Sequence, residues 1–374
     1  MVLCSFEQKP KMNISNHFKT ITDPRDVSKI SHILTDIIGL SLIAVIAGCE
    51  SYDDIEEFGK IKEGWLRNYL QLPNGIPSHD TIERLFESIN PSEFNACFSS
   101  WVMETFNYRD EIFLHIDGKS NRRSYDTFTG KKMLHSVSIF AGKNSLSLAQ
   151  YKVDEKSNEI KAIEPLLAPL DIEEQTVTVD AMGCQKDIAE AIVGKQAYYV
   201  LAVKDNQKTL HDEVKAAFTN TTITDTATTL EKSHGRIEER CCKTITDLRF
   251  VDESINWMAL CCIVCVTSTR TIKDKITTDT RYFISNKNDK ASFFLSAIRS
   301  HWRIENSLHW VLDVIFNEDY CRKRKENAAE NFNIIRKMAL NIIRTNKKNE
   351  KISIKRARLK AGWNDEYLDY LMKF

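Results

Sequence analysis

Three carboxylates stand where ordinary folding leaves them unexplained. Asp117 closes the apolar run IFLHI and is followed by Gly118; Asp180 closes TVTV and is followed by Ala-Met-Gly. Each alone reads equally as a turn former, because Asp before small residues commonly ends a strand. Glu305 is different. It lies inside HWRIENSLHW, flanked by AIRS and VLDVIF, so an apolar helical repeat carries a carboxylate between His301 and His309. Burial there would be costly without a compensating cation. Two aspartates brought close together would likewise need a cation to stay ionised. Oxygen ligands of this kind suit hard divalent ions, Mg²⁺ (or Mn²⁺) above all.

The elements that must bring these residues together follow from hydrophobic period. From 23 to about 108 the spacing is helical, and GIPSHDTIERLF reads as a helix start with Ser78 or Asp80 as cap and Ile82, Leu85 and Phe86 buried. With WLRNYLQL and a Pro-Asn-Gly turn before it, this fits a helix-turn-helix-like DNA-binding unit or a plain bundle. From 109 to 219 the runs EIFLHID, MLHSVSIFA and LSLAQYKV, then NEIKAIEPLLAPL, TVTVD, QKDIAEAIVG, AYYVLAV and LHDEVKAAF give strand, strand, strand, helix, strand, helix, strand, helix. Residues 220–286 read as a β-rich insertion with strand-like KSHGRIEERCCKTI, WMALCCIVCV and TRYFISN. Residues 287–345 hold the Glu305 helix and ENFNIIRKMALNIIRT; 346–374 form a basic C-terminal segment, and 1–22 a loose arm.

That order is the α/β order of a ribonuclease H-like core. Its first and fourth strands lie side by side and parallel, which would set Asp117 and Asp180 about 5 Å apart at one sheet edge. A helix crossing that edge would add Glu305. Glu318, in the polar stretch FNEDYC, is a rival third acid but reads more simply as a solvated helix end.

Composition limits the partners. Lysine plus arginine equals aspartate plus glutamate at 52 each, so nucleic acid could be held only by local patches. Arg322 to Lys360 is one such patch, in which Lys347, Lys348, Lys355, Arg356 and Arg358 are candidate phosphate contacts or simply a solvated tail. Lys119, Arg122 and Arg123 follow Asp117, and Lys204, Asn206 and Gln207 follow the last core strand at the same edge. Arg236 and Arg240 alternate with Glu238 on one strand face, open to DNA contact or a cross-strand ion pair. His301 and His309 could touch phosphate or merely hydrogen-bond, while Trp302 and Trp310 read more readily as packing than as base-stacking residues. Cys262 and Cys265 form a CxxC inside what reads as a buried strand, with no second pair to complete a zinc site. IIGLSLIAVIAG is too short to cross a bilayer, and with no signal peptide the expectation is a cytoplasmic protein without membrane contact.

Taken in order, DGKSNRRSYD, DEKSNEI, TVDAMGCQKDIA, YYVLAVKDNQ, EKSHGRIEER, RYFISN and HWRIENSLHWVLDVIFNED, with PSHDTIERLF before them, resemble the H-repeat-associated DDE transposases of bacterial insertion sequences over nearly the whole chain from about Asp23. The resemblance implies a metal-binding catalytic triad of Asp117, Asp180 and Glu305, two Mg²⁺ ions, cleavage and strand transfer at element ends, double-stranded DNA as partner, and a homo-oligomer on those ends. A nuclease that cuts without joining, or an inert DNA-binding relic, would look the same. Two departures stand out. The Tyr, Arg and Lys that many DDE transposases place around the Glu are here Ile298, His301 and Leu312. Asp205 stands where glycine is expected, an extra acid beside the expected DNA track.

Overall fold

A computed structural model describes residues 14–121, 123–125, 130, 132–153, 159–233, 235–273, 275–347 and 351–373. Helices α1 (Ile14–Phe18), α2 (Leu34–Ile46), α3 (Tyr52–Leu66), α4 (His79–Ser88) and α5 (Pro91–Thr105) precede the first strand. Helix α2 is apolar all round, and every residue but Thr35 is buried, as such a helix must be in water. It packs against α11 (Ala328–Asn346), whose residues 331–343 are all buried. Ser51 and Asp54 close a capping box on α3, and Asn90 caps α5 with Pro91 in its first turn.

The expected cap at Ser78 and the buried Ile82, Leu85 and Phe86 of α4 are present. The helix-turn-helix expectation is not met. The connection from α3 to α4 spans residues 67–78, against the roughly 3–4-residue turn that motif needs. Polar residues on the exposed side of α4 pair within the protein: Arg84 with Asp80 of the same helix, and His79 with Glu56 of α3.

One nine-stranded sheet runs through the centre in the order β3-β2-β1-β4-β5-β9-β8-β7-β6. Its strands are β1 (Phe113–Ser120), β2 (His135–Ala141), β3 (Leu146–Val153), β4 (Thr176–Val179), β5 (Tyr198–Val203), β6 (Asp225–Ser233), β7 (Arg236–Ile245), β8 (Cys262–Ile272) and β9 (Lys275–Ser285). β1 and β4 are parallel neighbours, as are β4 and β5; the other pairings are antiparallel. Helices α6 (Glu159–Leu167) and α9 (Ala291–Arg303) pack on the core strands, α7 (Lys186–Gly194) on β5, and α8 (Lys208–Asn220) on β9. The expected start of α6 at Asn158 falls outside the described residues.

The insertion strands continue the core sheet and outnumber the three expected. Residues 225–233 (DTATTLEKS) form β6, and Gly235, at φ +72°, turns the chain into β7, so the run read as one strand is a hairpin corner. β6 is hard to see in the sequence because its threonines and charges show no apolar alternation. β8 and β9 run on through polar residues, where Thr267–Thr280 and Thr269–Thr278 pair across the strands. Cys262 is buried in this sheet with Val264, Phe283 and Leu295, while Cys265, three residues on along β8, is buried on the opposite face. All cysteines described are free, consistent with the strand reading.

The basic run from Arg322 to Lys360 does not form one surface. Arg336 and Lys337 are buried in α11. Arg358, on α12 (Ile354–Trp363), is buried too: Nε donates to the Val45 carbonyl (3.1 Å), and Nη1 both donates to the Ile315 carbonyl and lies 2.9 Å from Glu50. Its guanidinium also covers the Phe316 ring at 4.2 Å. Arg358 is therefore a tie between three helical segments and not the phosphate contact expected. Lys347 donates to the Ile352 carbonyl (2.6 Å), Lys355 and Arg356 are exposed, and Lys348 lies outside the described residues. Among the described residues no helix is long and apolar enough to cross a membrane.

Removing the Arg358 side chain strands Glu50 and the carbonyls of Val45, Cys49 and Ile315, so Arg358→Ala should cost about 3 kcal/mol of stability. Urea unfolding checks this; a loss below about 0.5 kcal/mol, the range of an ordinary surface substitution, would show that the tie contributes little.

Candidate active site

The parallel register of β1 and β4 pairs Ile116 with Val179. The next residues are Asp117, still within β1, and Asp180, the first residue past β4, so the register directs both toward the same end of the strand pair, where neighbouring strands lie about 5 Å apart. Asp117 Oδ1 accepts from the Gly118 amide (2.9 Å). Asp180 Oδ1 accepts from the amides of Met182 and Gly183 (3.1 and 3.2 Å), which folds the chain sharply after β4. Gly183 is required in that turn, since a Cβ there would stand 2.2 Å from Val179 Cγ1. Asn206 and Gln207, expected to contact DNA, brace the same turn: their amides donate to the carbonyls of Ala181 (2.7 Å) and Cys184 (2.9 Å). Lys204 stays exposed just beyond β5, and Asp205 is exposed beside it.

The third carboxylate rides on a rod of three pieces: α9, a π-helical turn Ile304–His309, and α10 (Trp310–Ile315). An unbroken α-helix would put His301, Glu305 and His309 on one face. The wider turn separates them. His301 turns inward, its Nδ1 2.7 Å from Thr178 Oγ1, and His309 turns inward with Nδ1 3.5 Å from Asp117 Oδ2. Glu305, between them, is exposed. Partial desolvation still holds its carboxyl above the usual glutamate range, against the pull of Arg281. π turns inside α-helices recur at functional sites.

The sequence leaves phosphate contact or hydrogen bonding open to these histidines, and in the structure both rings turn inward to protein partners. Burial lowers His301 to about 4, with Asp180 opposing, and lowers His309 to about 3, helped by Lys119 and Lys337. Both are neutral at pH 7, so His309 meets Asp117 as a dipole and not as a cation.

Lys119 also departs from expectation. It points to the same sheet face as Asp117 but is only 9% exposed, its ammonium held by Glu318 and by Asp313 (2.6 Å). Glu318, expected to be solvated, is 1% exposed. Burial would raise its carboxyl, but Lys119 and Arg336 overcome this and hold it below the usual range. The polar look of FNEDYC is misleading because the partner lies 199 residues away. Arg123 is exposed, 4.8 Å over the Tyr320 ring, while Arg122 lies outside the described residues.

Beside Glu305 opens a groove of about 680 Å³ between the β6–β9 ribbon and α9. Six arginines line it (Arg236, Arg240, Arg270, Arg281, Arg299 and Arg303) against Glu231, Glu238 and Asp279. Glu231 and Glu238 face each other directly across β6 and β7, an arrangement tolerated only with cations around it. Arg240 contacts both, Arg270 lies 2.8 Å from Glu238, and Arg299 lies 2.5 Å from Glu231. Of the two candidates for a cross-strand ion pair, Arg240 makes it, to Glu231 of β6 (3.4 Å), whereas Arg236 pairs along its own strand with Glu238 (3.4 Å). Trp302 lines the groove and Trp310 is exposed beyond it, neither of them a core residue.

The carboxylates supply hard oxygen donors, and the strand register brings two of them together, which fits a divalent cation. Glu305 is not drawn in as a ready third ligand: among the described residues, no three acidic, histidine or cysteine side chains are grouped to hold a metal as they stand.

Comparison with known proteins adds the following. The family model described as "Transposase DDE domain" matches residues 100–342, and the model for the segment associated with it matches 15–102. The chain is 41% identical over 366 residues to "Putative protein YbfL" and to "H repeat-associated putative transposase YhhI", both of Escherichia coli K12, covering 95% of this chain and 96% of each relative. Among solved structures it is similar to a piggyBac transposase synaptic complex with hairpin DNA, with TM-score 0.41, 10% identity, and coverage of 96% of this chain and 77% of that one.

Neutral buried histidines make stability depend on pH. The unfolded chain takes up a proton on each near 6.5, the folded chain only near 4 (His301) or 3 (His309), so stability is full above 6.5 and falls on acidification below it. The slope should approach about 1.4 kcal/mol per pH unit for each histidine. Urea unfolding between pH 7.5 and 5 measures it, and His301→Gln should flatten it. Stability that rises on acidification in this range would overturn the assignment.

Proposed function

The chain belongs to the H-repeat-associated DDE transposases of bacterial insertion sequences, and from that premise we propose that it cleaves DNA at its element's ends and joins them to target DNA. The observation carrying this is the parallel β1–β4 register, which sets Asp117 and Asp180 together at one sheet edge. The strand order β3-β2-β1-β4-β5 supports reading the core as ribonuclease H-like. Asp117 and Asp180 would hold divalent cations, Mg²⁺ or Mn²⁺ and two in number, with Glu305 as third ligand. When bound, such ions supply Lewis-acid stabilisation of phosphoryl transfer.

The protein's own residues do the rest. The anionic pair fixes where the scissile phosphate must lie. Neutral His309 keeps Asp117 oriented without cancelling its charge. Lys119, fixed by Asp313 and Glu318, is neutralised there and cannot swing into the site. The DNA backbone would run from this edge along the arginine groove, where Glu231 and Glu238 hold the guanidinium planes ready for phosphate. Lys204, Arg123, Lys355 and Arg356 are further exposed contacts in this reading. Two copies on paired DNA ends would complete the working assembly.

Asp117→Asn, Asp180→Asn and Glu305→Gln should each lose strand cleavage in Mg²⁺ while keeping DNA affinity, since each removes charge and keeps volume. Supplying pre-cut element ends with target DNA separates a joining enzyme from a nuclease. Cleavage at wild-type rate by either Asp variant sinks the reading.

Replacing Arg270 and Arg303 together with glutamine should flatten the dependence of log affinity on log salt by about 0.9 for each phosphate no longer neutralised. A slope identical to wild type would remove the groove from the DNA track.

A further inference from the structure

Thr178 sits in β4 directly beside His115 of β1 and one residue before the Val179–Ile116 pair that leads to the two aspartates. Its single hydroxyl meets two imidazoles, His115 Nδ1 at 2.7 Å and His301 Nδ1 at 2.7 Å. The hydroxyl and the His115 ring are buried, and the two rings stand edge to face at 5.7 Å.

The hydroxyl has one proton, which it can give to an imidazole or, over a longer 3.5 Å contact, to the Leu114 carbonyl; the two 2.7 Å contacts favour an imidazole, so one ring donates to Oγ1 and the other accepts. The polarity of this chain can be assigned. His115 Nε2 is buried with no partner, and Gly142 closes that side so tightly that a Cβ would stand 2.6 Å from it. An orphaned N–H is rarer in protein interiors than an orphaned acceptor. His115 therefore carries its proton on Nδ1 and donates to Thr178 Oγ1, and the Thr178 hydroxyl donates to His301 Nδ1. Three elements, β1, β4 and α9, meet at this one oxygen.

We infer that Thr178 is a positioning residue that fixes the Glu305 segment against the strand pair bearing Asp117 and Asp180. The rod is held at two points: here through His301, and beyond the π turn where Asp313 and Glu318 grip Lys119 of β1. Glu305 lies between them in the one stretch without α-helical hydrogen bonding. Its distance from the aspartates is set by the two ties. Only the final link, from rod position to chemistry, rests on the proposed role of Glu305.

The test compares Thr178→Val, which keeps shape and loses the hydroxyl, with Thr178→Ser, which restores it. Hydrogen–deuterium exchange of the full-length protein should show the 301–309 amides at least tenfold faster in Thr178→Val and within about twofold of wild type in Thr178→Ser. His301→Phe, which cuts the tie from the other side, should match Thr178→Val and serves if that variant fails to fold. Unchanged exchange in the cut variants, or no rescue by serine, overturns the inference. Cleavage and Mn²⁺ titration are then read as a cycle with Glu305→Gln. Thr178→Val should raise the Mn²⁺ Kd about tenfold in the wild-type background and leave it unchanged in Glu305→Gln; equal effects in both backgrounds overturn the link to Glu305. A wild-type chain that neither binds Mn²⁺ nor cleaves DNA would sink the proposed function instead, and the exchange data would still decide the tie.

Discussion

Everything at the candidate site depends on two strands pairing in parallel. β1 and β4 are separated in sequence by two strands and a helix, yet their register is fixed by Phe113–Thr176 through Ile116–Val179, and this alone delivers Asp117 and Asp180 to one edge. A slip of one residue would turn one aspartate to the opposite face of the sheet. Burial enforces the register: Leu114, Ile116, Val177 and Val179 must all face one apolar layer, and His115 and Thr178 must meet on the other. The carboxylate pair is thus a by-product of core packing, and it cannot be displaced without unmaking the core.

The second constraint is electrostatic. The helices behind the site bury an unusual set of charges: Lys119, Glu318, Arg336, Lys337 and Arg358. Lys119 and Glu318 pair directly. Lys337 instead donates to Ser138 Oγ and Gln150 Oε1, and burial lowers its ammonium to about 7. Such groups rarely add net stability over apolar substitutes, but removing one partner leaves a stranded charge. They make the relative placement of α10, α11 and β1 intolerant of change. A site built of mutually repelling carboxylates needs a frame that does not yield, and this network provides one.

Periodicity makes the fold largely readable. The strands that carry Asp117 and lead into Asp180, the helices between them and the cap at Ser78 are where apolar spacing puts them, although β1 does not end at Asp117 but runs on to Ser120. Polar strands are invisible to that criterion, which is why β6 and the outer halves of β8 and β9 do not show in the sequence. Charge runs mislead for a related reason. Linear sequence shows that Arg358, Lys119 and Glu318 are charged, and it hides the partners that bury them. The inward turn of His301 and His309 is equally illegible, because i±4 spacing assumes an α-helix and the chain makes a π turn at Ile304–His309. Residue spacing locates the carboxylates. It does not say which neighbours face them.

The placement of Lys119 shows how these constraints combine. Two residues past Asp117 on one strand, it emerges on the same face roughly 6–7 Å away, close enough for a flexible lysine to reach the carboxylate. A lysine bound there would occupy the place of a divalent cation and weaken its binding. Asp313 and Glu318 prevent this by holding the ammonium from the far side, and Glu318 can do so only because Asn317, at φ +48°, turns the chain back toward β1 at the end of α10. In the proposed function, the clamp that would keep a cation site open is the same contact that anchors the rod carrying Glu305. Loss of Glu318 would therefore act on the proposed site twice, by releasing the Lys119 ammonium and by loosening the helix that carries Glu305.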